Sequence, residues 1–467
     1  MKIRKIYFLA LSVLGMLTTA CKDESSETDK SGYTDALVSS FALADNDNYD
    51  ISLSDVFFTI DQYGVMDEDG NLVGQIYNAD SLPVGTETKK MLANIGFDNP
   101  SKVTLYTATD TLEYSSSDSI NFSSPVKMEV IAGNGNNKKY YTIKVNVHQM
   151  LGDSIDWKLY VNDPLADAGT IVDQRALAFG SDINWYVRNT ADVVLYTSPT
   201  TDLQRWTKEG VTLPAGSDPV LSSLRKFDDV LYMVDAAGNL LGSADGRGWS
   251  VVSASGQFVN LIGTINGVNG NADRFIAIVT EGGKYYFSYS TDAANWAIDG
   301  ELDSKFPISG YSNSLQYFGG TTQRIVIVGG KAQDGTLTSD SWSYDGGKNP
   351  WTALKNINSE LPALQGASLF EYQSDPRYPD TYWMIMGGQL KDDSYSSTIY
   401  YSANKGISWM KASSTISLPS AFEARAFISP YVSSDFFIYL LGGQNAEGEL
   451  NQIWRGRLNQ LTFTPVE

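Results

Sequence analysis

Two short stretches of the sequence carry the same spacing of opposite charges. In DQRALAF (173–179), Asp173 and Arg175 stand two residues apart; in EARAFIS (423–429), Glu423 and Arg425 repeat the arrangement. Residues at i and i+2 of a strand project from one face, so each stretch, read as a strand, presents an acid beside a guanidinium. Two carboxylates and two guanidiniums brought together could bind an acidic or hydroxylated sugar. The carboxylates Asp173 and Glu423 could also serve the acid/base chemistry of glycosidic cleavage. The same four groups could equally form a belt of salt bridges that ties two strands together. The choice depends on whether the fold makes the two stretches neighbours.

The spacing of tryptophans supplies that fold. All ten lie between Trp157 and Trp454, which places a domain boundary near residue 150. A tryptophan closes a β-like unit at Trp206, Trp249, Trp296, Trp351 and Trp409, at intervals of 43, 47, 55 and 58 residues by subtraction, and Phe463 follows the last of these. A period of this size with several short strands per unit is the signature of a β-propeller, and six terminal positions mean six blades. In a closed ring the first and last blades touch, so 173–179 and 423–429, read as innermost strands, lie side by side at the central channel. Trp185 and Trp383, near inner strands, either stack on sugar rings there or pack between blades.

Local motifs carry resemblances. YYSANKGISW (400–409) resembles the Asp-box turn of sialidases, with Ser402, Gly406 and Trp409 in place and Asn404 where that motif has Asp. SADGRGW (243–249) and STDAANW (290–296) resemble it with one residue fewer between Ser and Trp. IVIVGG (325–330), WMIMGG (383–388) and IYLLGG (438–443) resemble the Kelch repeat: a glycine pair follows an apolar strand, and an aromatic (Trp342, Tyr400, Trp454) follows the pair. Asp-boxes are turns on the blade rim, so these residues read as structural. Sialidase activity is not expected, because no motif places the arginine triad, the Tyr–Glu pair and the acid that such enzymes use.

The amino terminus reads as an export signal. Lys2, Arg4 and Lys5 precede the apolar run Ile6–Leu17, which is too short to span a bilayer. Thr19 and Ala20 before Cys21 resemble the lipobox of bacterial lipoproteins, with Thr18 where Leu is usual; this resemblance implies lipidation of Cys21, the sole cysteine. KDESSETDKSG then reads as a flexible tether, and resembles the surface-export signal of Bacteroidota lipoproteins. The reading is therefore a signal peptide over 1–20, a tether over 21–33, a domain over 34–150 and a propeller over 155–467.

The 34–150 segment alternates β-rich runs with turns, including hairpins around MDEDG and NGNN and a short helix within 86–96. It resembles the immunoglobulin-like β-sandwiches of Bacteroidota surface lipoproteins, which implies a spacer. The whole chain resembles lipoproteins that join such a domain to a six-bladed Kelch/sialidase-like propeller, and the expected fold class is all-β.

Several chemistries fall away. A net charge of −20 and the lack of basic clusters argue against nucleic-acid partners. The single histidine, His148, excludes a Ser-His-Asp triad on the propeller, a multi-histidine metal site and the copper chemistry of galactose oxidase. GTINGVNG (263–270) lacks a strand-to-helix context for a nucleotide loop, and DEDGN (67–71) fails the calcium-loop series at Leu72 and Asn78. No cofactor or metal is implied. The expected function is that of an outer-membrane, surface-exposed lipoprotein whose propeller is a non-catalytic binding module for glycan or protein. The alternatives are a propeller glycosidase or polysaccharide lyase, and a structural subunit of an envelope complex.

Overall fold

The computed structural model describes residues 32–45, 52–66, 70, 72–149, 151–253, 257–267, 272–318, 322–346, 351–354, 359–373 and 381–459. Cys21 with its signal sequence, the acidic residues of DEDGN, the end of GTINGVNG and Phe463 lie outside these residues. The chain divides into two compact units, Met1–Gln149 and Met150–Glu467. Among the described residues there is no α-helix, and the protein is all-β.

The first unit holds a six-stranded sheet in the spatial order Thr59–Met66, Leu72–Tyr77, Lys138–Lys144, Val126–Ile131, Lys102–Tyr106, Thr111–Glu113. Its pairs are antiparallel except Leu72–Tyr77 with Lys138–Lys144, which run parallel. Both expected hairpins form, around residues 67–71 and around NGNN. Val126, Met128 and Val130 alternate inward as a half-buried strand requires. A second, two-stranded sheet pairs Val38–Leu43 with Ala93–Phe97, and Phe41, Leu43, Met128, Tyr141 and Ile143 share one core. The expected helix within 86–96 is replaced by turns and the start of the Ala93–Phe97 strand, whose Ala93 and Ile95 pair with Leu43 and Phe41. Tertiary pairing outweighs the weak helical propensity of that stretch.

The second unit is a six-bladed β-propeller of four-stranded antiparallel sheets. From the axis outward, blade I is Ile171–Phe179, Asp182–Asn189, Val193–Pro199 and Thr207–Gly210. Blades II to V begin on the inner strands Arg225–Phe227, Phe258–Ile265, Ser312–Phe318 and Ser368–Tyr372. The second strand of each blade is packed between neighbours on both faces. Its apolar residues therefore run continuously (LYMV, IVIV, WMIM, IYLL) instead of alternating. Blade VI contains Ser429–Val432, Ile438–Leu441 and Gln452–Gly456, and its outermost strand is Lys158–Asn162, from the opposite end of the unit.

That strand exchange closes the ring, and it identifies the sixth repeat mark. Trp206, Trp249, Trp296, Trp351 and Trp409 each stand just before the outermost strand of their blade, and Trp157 holds the same place before Lys158–Asn162. Its indole N–H donates to Ile416 O at 3.0 Å, and its ring lies against Gly456 so closely that a Cβ there would meet it at 2.4 Å. Trp157→Ala is expected to cost about 3–5 kcal/mol in urea unfolding of the full chain. A change below 1 kcal/mol would contradict this closure.

Candidate functional site

The inner strands enclose a cavity of about 390 Å³ on the propeller axis. Every blade contributes: Arg175 and Ala176 from blade I, Arg225 from II, Asn260 from III, Ser312 and Asn313 from IV, Ser368 and Glu371 from V, and Tyr431 from VI. A ring of β-sheets leaves backbone edges and polar side chains at its hub, and buried polar groups need partners. Here most of those partners lie in the next blade.

The joints can be followed in turn. Ala176 N donates to Ser429 Oγ at 2.9 Å between blades I and VI, and Ser368 Oγ donates to Ile428 O at 2.5 Å between V and VI. Ser312 Oγ donates to Ala367 O between IV and V, and Asn313 Nδ2 donates to Ile262 O between IV and III. Arg225 Nε donates to the same Ile262 O at 3.1 Å, joining II to III. At the last joint Leu221 N–H, in the turn before blade II, favours the charged form of Asp173 on blade I. These polar groups are thus committed to holding the blades around the axis.

Arg175 is different. It is among the residues that line the cavity, and its side chain makes no hydrogen bond or ion pair with any described residue. Burial, and then the charge of Arg225, push its pKa down to about 10, with the charge of Asp173 opposing. Burial also lowers that of Arg225, whose Nη1 donates to Ser222 O at 3.1 Å and Leu224 O at 2.8 Å. Five N–H donors on a cation that is partly desolvated and faces a like charge form an unsatisfied site.

The four residues of the paired motifs separate. Asp173 and Arg175 do share one inner strand. The blade VI inner strand, in contrast, starts at Ser429, so 423–428 form the segment leading into it. Phe427 in that segment has φ of +57°, a backbone conformation that ends any extended run there. Arg425, 1% exposed, points into blade VI. Its Nε donates to Glu423 O (2.8 Å), Nη1 to Gly442 O (3.3 Å) and Nη2 to Gln452 Oε1 (2.8 Å), with Phe422 under its plane. Glu423 is exposed and is not among the residues that line the cavity. No salt-bridge belt joins these four groups.

Trp185 and Trp383 are each 1% exposed and offer no ring face to a ligand. Trp185 packs edge-on to Trp206 and donates to Gln174 Oε1, whereas Trp383 lies in the core shared by blades IV and V. The Ser–Asp turns are likewise occupied locally. Asp245, Asp292 and Asn404 accept backbone N–H groups of residues 247–248, 294–295 and 408 between the third and fourth strands of blades II, III and V. Among the described residues no group of three or more His, Cys, Asp or Glu side chains is gathered as for a metal ion.

Sequence reasoning missed Arg225 and Glu449. Arg225 sits in SLRKF with no charged companion at i+2, and only the topology brings it to the hub. Glu449 reaches blade I from a hairpin of blade VI, where its Oε2 accepts from Gln174 Nε2 at 2.8 Å. Burial pushes its pKa up to about 7, against the Gln174 hydrogen bond and with help from the Asp173 charge. Asp173 is raised too, mainly by burial, with Arg188 opposing.

Residues 151–466 match the DUF6242 beta propeller domain, and residues 24–145 match the DUF6242 N-terminal domain, a domain of unknown function. The chain belongs to this family. Among solved structures it is similar to an alpha-L-arabinanase of Penicillium chrysogenum complexed with arabinobiose, at 11% identity over 66% of this chain and 100% of that one, with a TM-score of 0.43. It is also similar to YjhT (14% identity, 61% and 94% of the two chains, TM-score 0.42). A third similar structure is the fucose-specific lectin of Aleuria aurantia (14%, 63% and 100%, TM-score 0.37). No curated protein matches the sequence.

The Glu449 shift has a measurable sign. An acid whose folded pKa is raised holds its proton longer in the folded state, so the folded state loses stability as pH rises from the ordinary carboxylate range toward 7. Glu449→Gln removes the charge and keeps an acceptor for Gln174. It is expected to raise Tm by several degrees at pH 8 and change it little at pH 4.5, read by differential scanning calorimetry. Equal shifts at both pH values would contradict the assignment.

Proposed function

We propose that the protein is a non-catalytic binding module whose propeller takes a glycan in the axial cavity, displayed outside the cell on a lipid anchor at Cys21. The observation that carries this reading is the composition of the cavity wall. A volume near 390 Å³ falls in the range of about 300–1,000 Å³ typical of small-ligand pockets. The wall alternates amides and hydroxyls with the partly exposed rings of Phe427 and Tyr431, a mixture suited to the polar edges and apolar faces of sugars. Glycosidic hydrolysis uses two carboxylates across the scissile bond, whereas Glu371 is the one carboxylate among the lining residues. That favours retention of a sugar over its cleavage.

The finer parts of this reading come from the sequence. The lipobox-like TTAC, the acidic tether and the Asp-box-like and Kelch-like blade motifs support a Bacteroidota-type surface lipoprotein. In that setting the first unit, read as an immunoglobulin-like sandwich, serves as the stalk. An enzymatic reading keeps one observation in its favour: Asp173 and Glu449 are half-buried carboxylates that feel one another, and the proton held by Glu449 near pH 7 suits a general acid. In a glycosidase reading these two, and not Asp173 with Glu423, would be the acid/base pair.

A glycan array probed with the full chain carrying Cys21→Ser, beside a reducing-sugar release assay, tests the proposal. Binding without release is expected. Release that Asp173→Asn or Glu449→Gln abolishes while binding persists would overturn it in favour of hydrolysis. In cells, the Cys21→Ser chain is expected to leave the membrane fraction, and persistent attachment would sink the lipid anchor.

A further inference from the structure

Most polar side chains around the axis already have work within the fold, as the ring of interblade hydrogen bonds shows. Subtracting them leaves a small remainder at the I/II joint. Arg225 is held in place by three carbonyls, those of Ile262, Ser222 and Leu224, through Nε and Nη1. Its Nη2 takes part in none of these contacts. Arg175 faces it with no hydrogen bond or ion pair to any described residue. No salt bridge reaches either guanidinium from the lining Glu371 or from Asp173.

Asp173 offsets part of the repulsion that Arg175 feels from Arg225, without an ion pair to either. Two like charges in a partly desolvated wall are still costly, and a folded protein keeps such an arrangement at a functional site when a ligand repays it. The overall charge of −20 does not account for a local cationic pair; it makes a concentrated positive spot inside the molecule more conspicuous. An anion between the guanidiniums would satisfy the open donors and remove the mutual repulsion in one step. A carboxylate suits this geometry, because its two oxygens accept from guanidinium N–H groups in a bidentate fashion.

Phe427 borders the same cavity with φ of +57°, a conformation that is an outlier for a bulky residue. It is over-determined by its surroundings. Phe427 N donates to Gly366 O at 2.6 Å, and the ring packs against Gly366 so tightly that a Cβ there would meet it at 2.8 Å. The strain fixes an aromatic ring at the cavity wall, where an apolar face of a pyranose could rest.

We infer that Arg175 and Arg225 form a subsite for the carboxylate of an acidic sugar, a uronate-type residue whose ring lies in the axial cavity beside Phe427. This inference rests on the binding-module reading and deepens it. Arg175 is the specificity-determining group, because it has no hydrogen bond or ion pair to a described residue to lose; Arg225 also ties blades II and III and positions the second guanidinium.

Isothermal titration of the full chain carrying Cys21→Ser, with trigalacturonate, neutral galactotriose and a sulfated galactotriose as probes, tests the subsite. Tightest binding of the trigalacturonate, at least tenfold over the neutral sugar, is expected, together with loss of that preference in Arg175→Gln and partial recovery in Arg175→Lys. Equal binding of carboxylated and neutral sugars would overturn the subsite while leaving the binding module standing. Tighter binding of the sulfated sugar would reassign the pair to sulfate and overturn the carboxylate. No binding of any of the three, with a positive control glycan from the array still bound, overturns the subsite; loss of all glycan binding overturns the module itself. The unliganded Arg175→Gln variant supplies an independent readout, since removing an unsatisfied cation should leave Tm equal to or above that of the parent. A fall of more than a few degrees would show that Arg175 is a structural residue.

Discussion

Closure of the ring is the constraint on which the propeller depends. Six sheets arranged around an axis bury their faces against one another, yet their inner edges converge on a hole that side chains do not fill. Each joint must then be held by polar contacts near the hub, where hydrophobic area is least. The hydroxyls of Ser312, Ser368 and Ser429, the Asn313 amide and the Arg225 guanidinium do this across successive blades. At the outer rim the exchange of Lys158–Asn162 into blade VI completes the circle. Because the joints consume the hub's polar groups so thoroughly, a group left over is informative.

Three arginines show how differently the same side chain is used. Arg425 is fully buried, with Nη1 and Nη2 on acceptors of blade VI and Nε on Glu423 O of the segment leading into it, and acts as an internal clamp beside the glycine pair Gly442–Gly443. Arg225 is shared between a structural joint and the cavity. Arg175 lines the cavity and has no hydrogen bond or ion pair to any described residue. The glycine pairs contribute to this sorting. Gly388 N donates to Arg425 O at 2.9 Å and Gly330 N to Leu364 O at 2.8 Å, so each pair receives the segment leading into the next blade. A Cβ at Gly387 would stand 2.6 Å from Arg425 O. That close passage leaves Arg425 committed to the blade interior, away from the axis.

The architecture was legible in the sequence because its marks are periodic and chemically uncommon. Tryptophans that precede outer strands, and glycine pairs that follow apolar ones, recur often enough to count blades. Trp157 was harder to place, since its blade closes with a strand from the other end of the unit and linear order hides that pairing. The site was only half legible. Asp173 and Arg175 lie on a true inner strand, but EARAFIS resembles one only in its alternation of residue types. Phe427 turns through a left-handed conformation against Gly366, a tertiary effect that periodicity does not encode. Arg225 had no local signal at all, because its significance comes from facing Arg175 across a joint.

In the proposed subsite, Arg175, which has no hydrogen bond or ion pair to any described residue, receives the carboxylate. The guanidinium ¹⁵Nε resonance of Arg175, assigned by its loss in Arg175→Gln, reports that state directly. Titration with trigalacturonate should shift this resonance and slow the exchange of its N–H protons with water, and neutral galactotriose should not. A resonance that stays fixed while the acidic sugar binds would contradict the account.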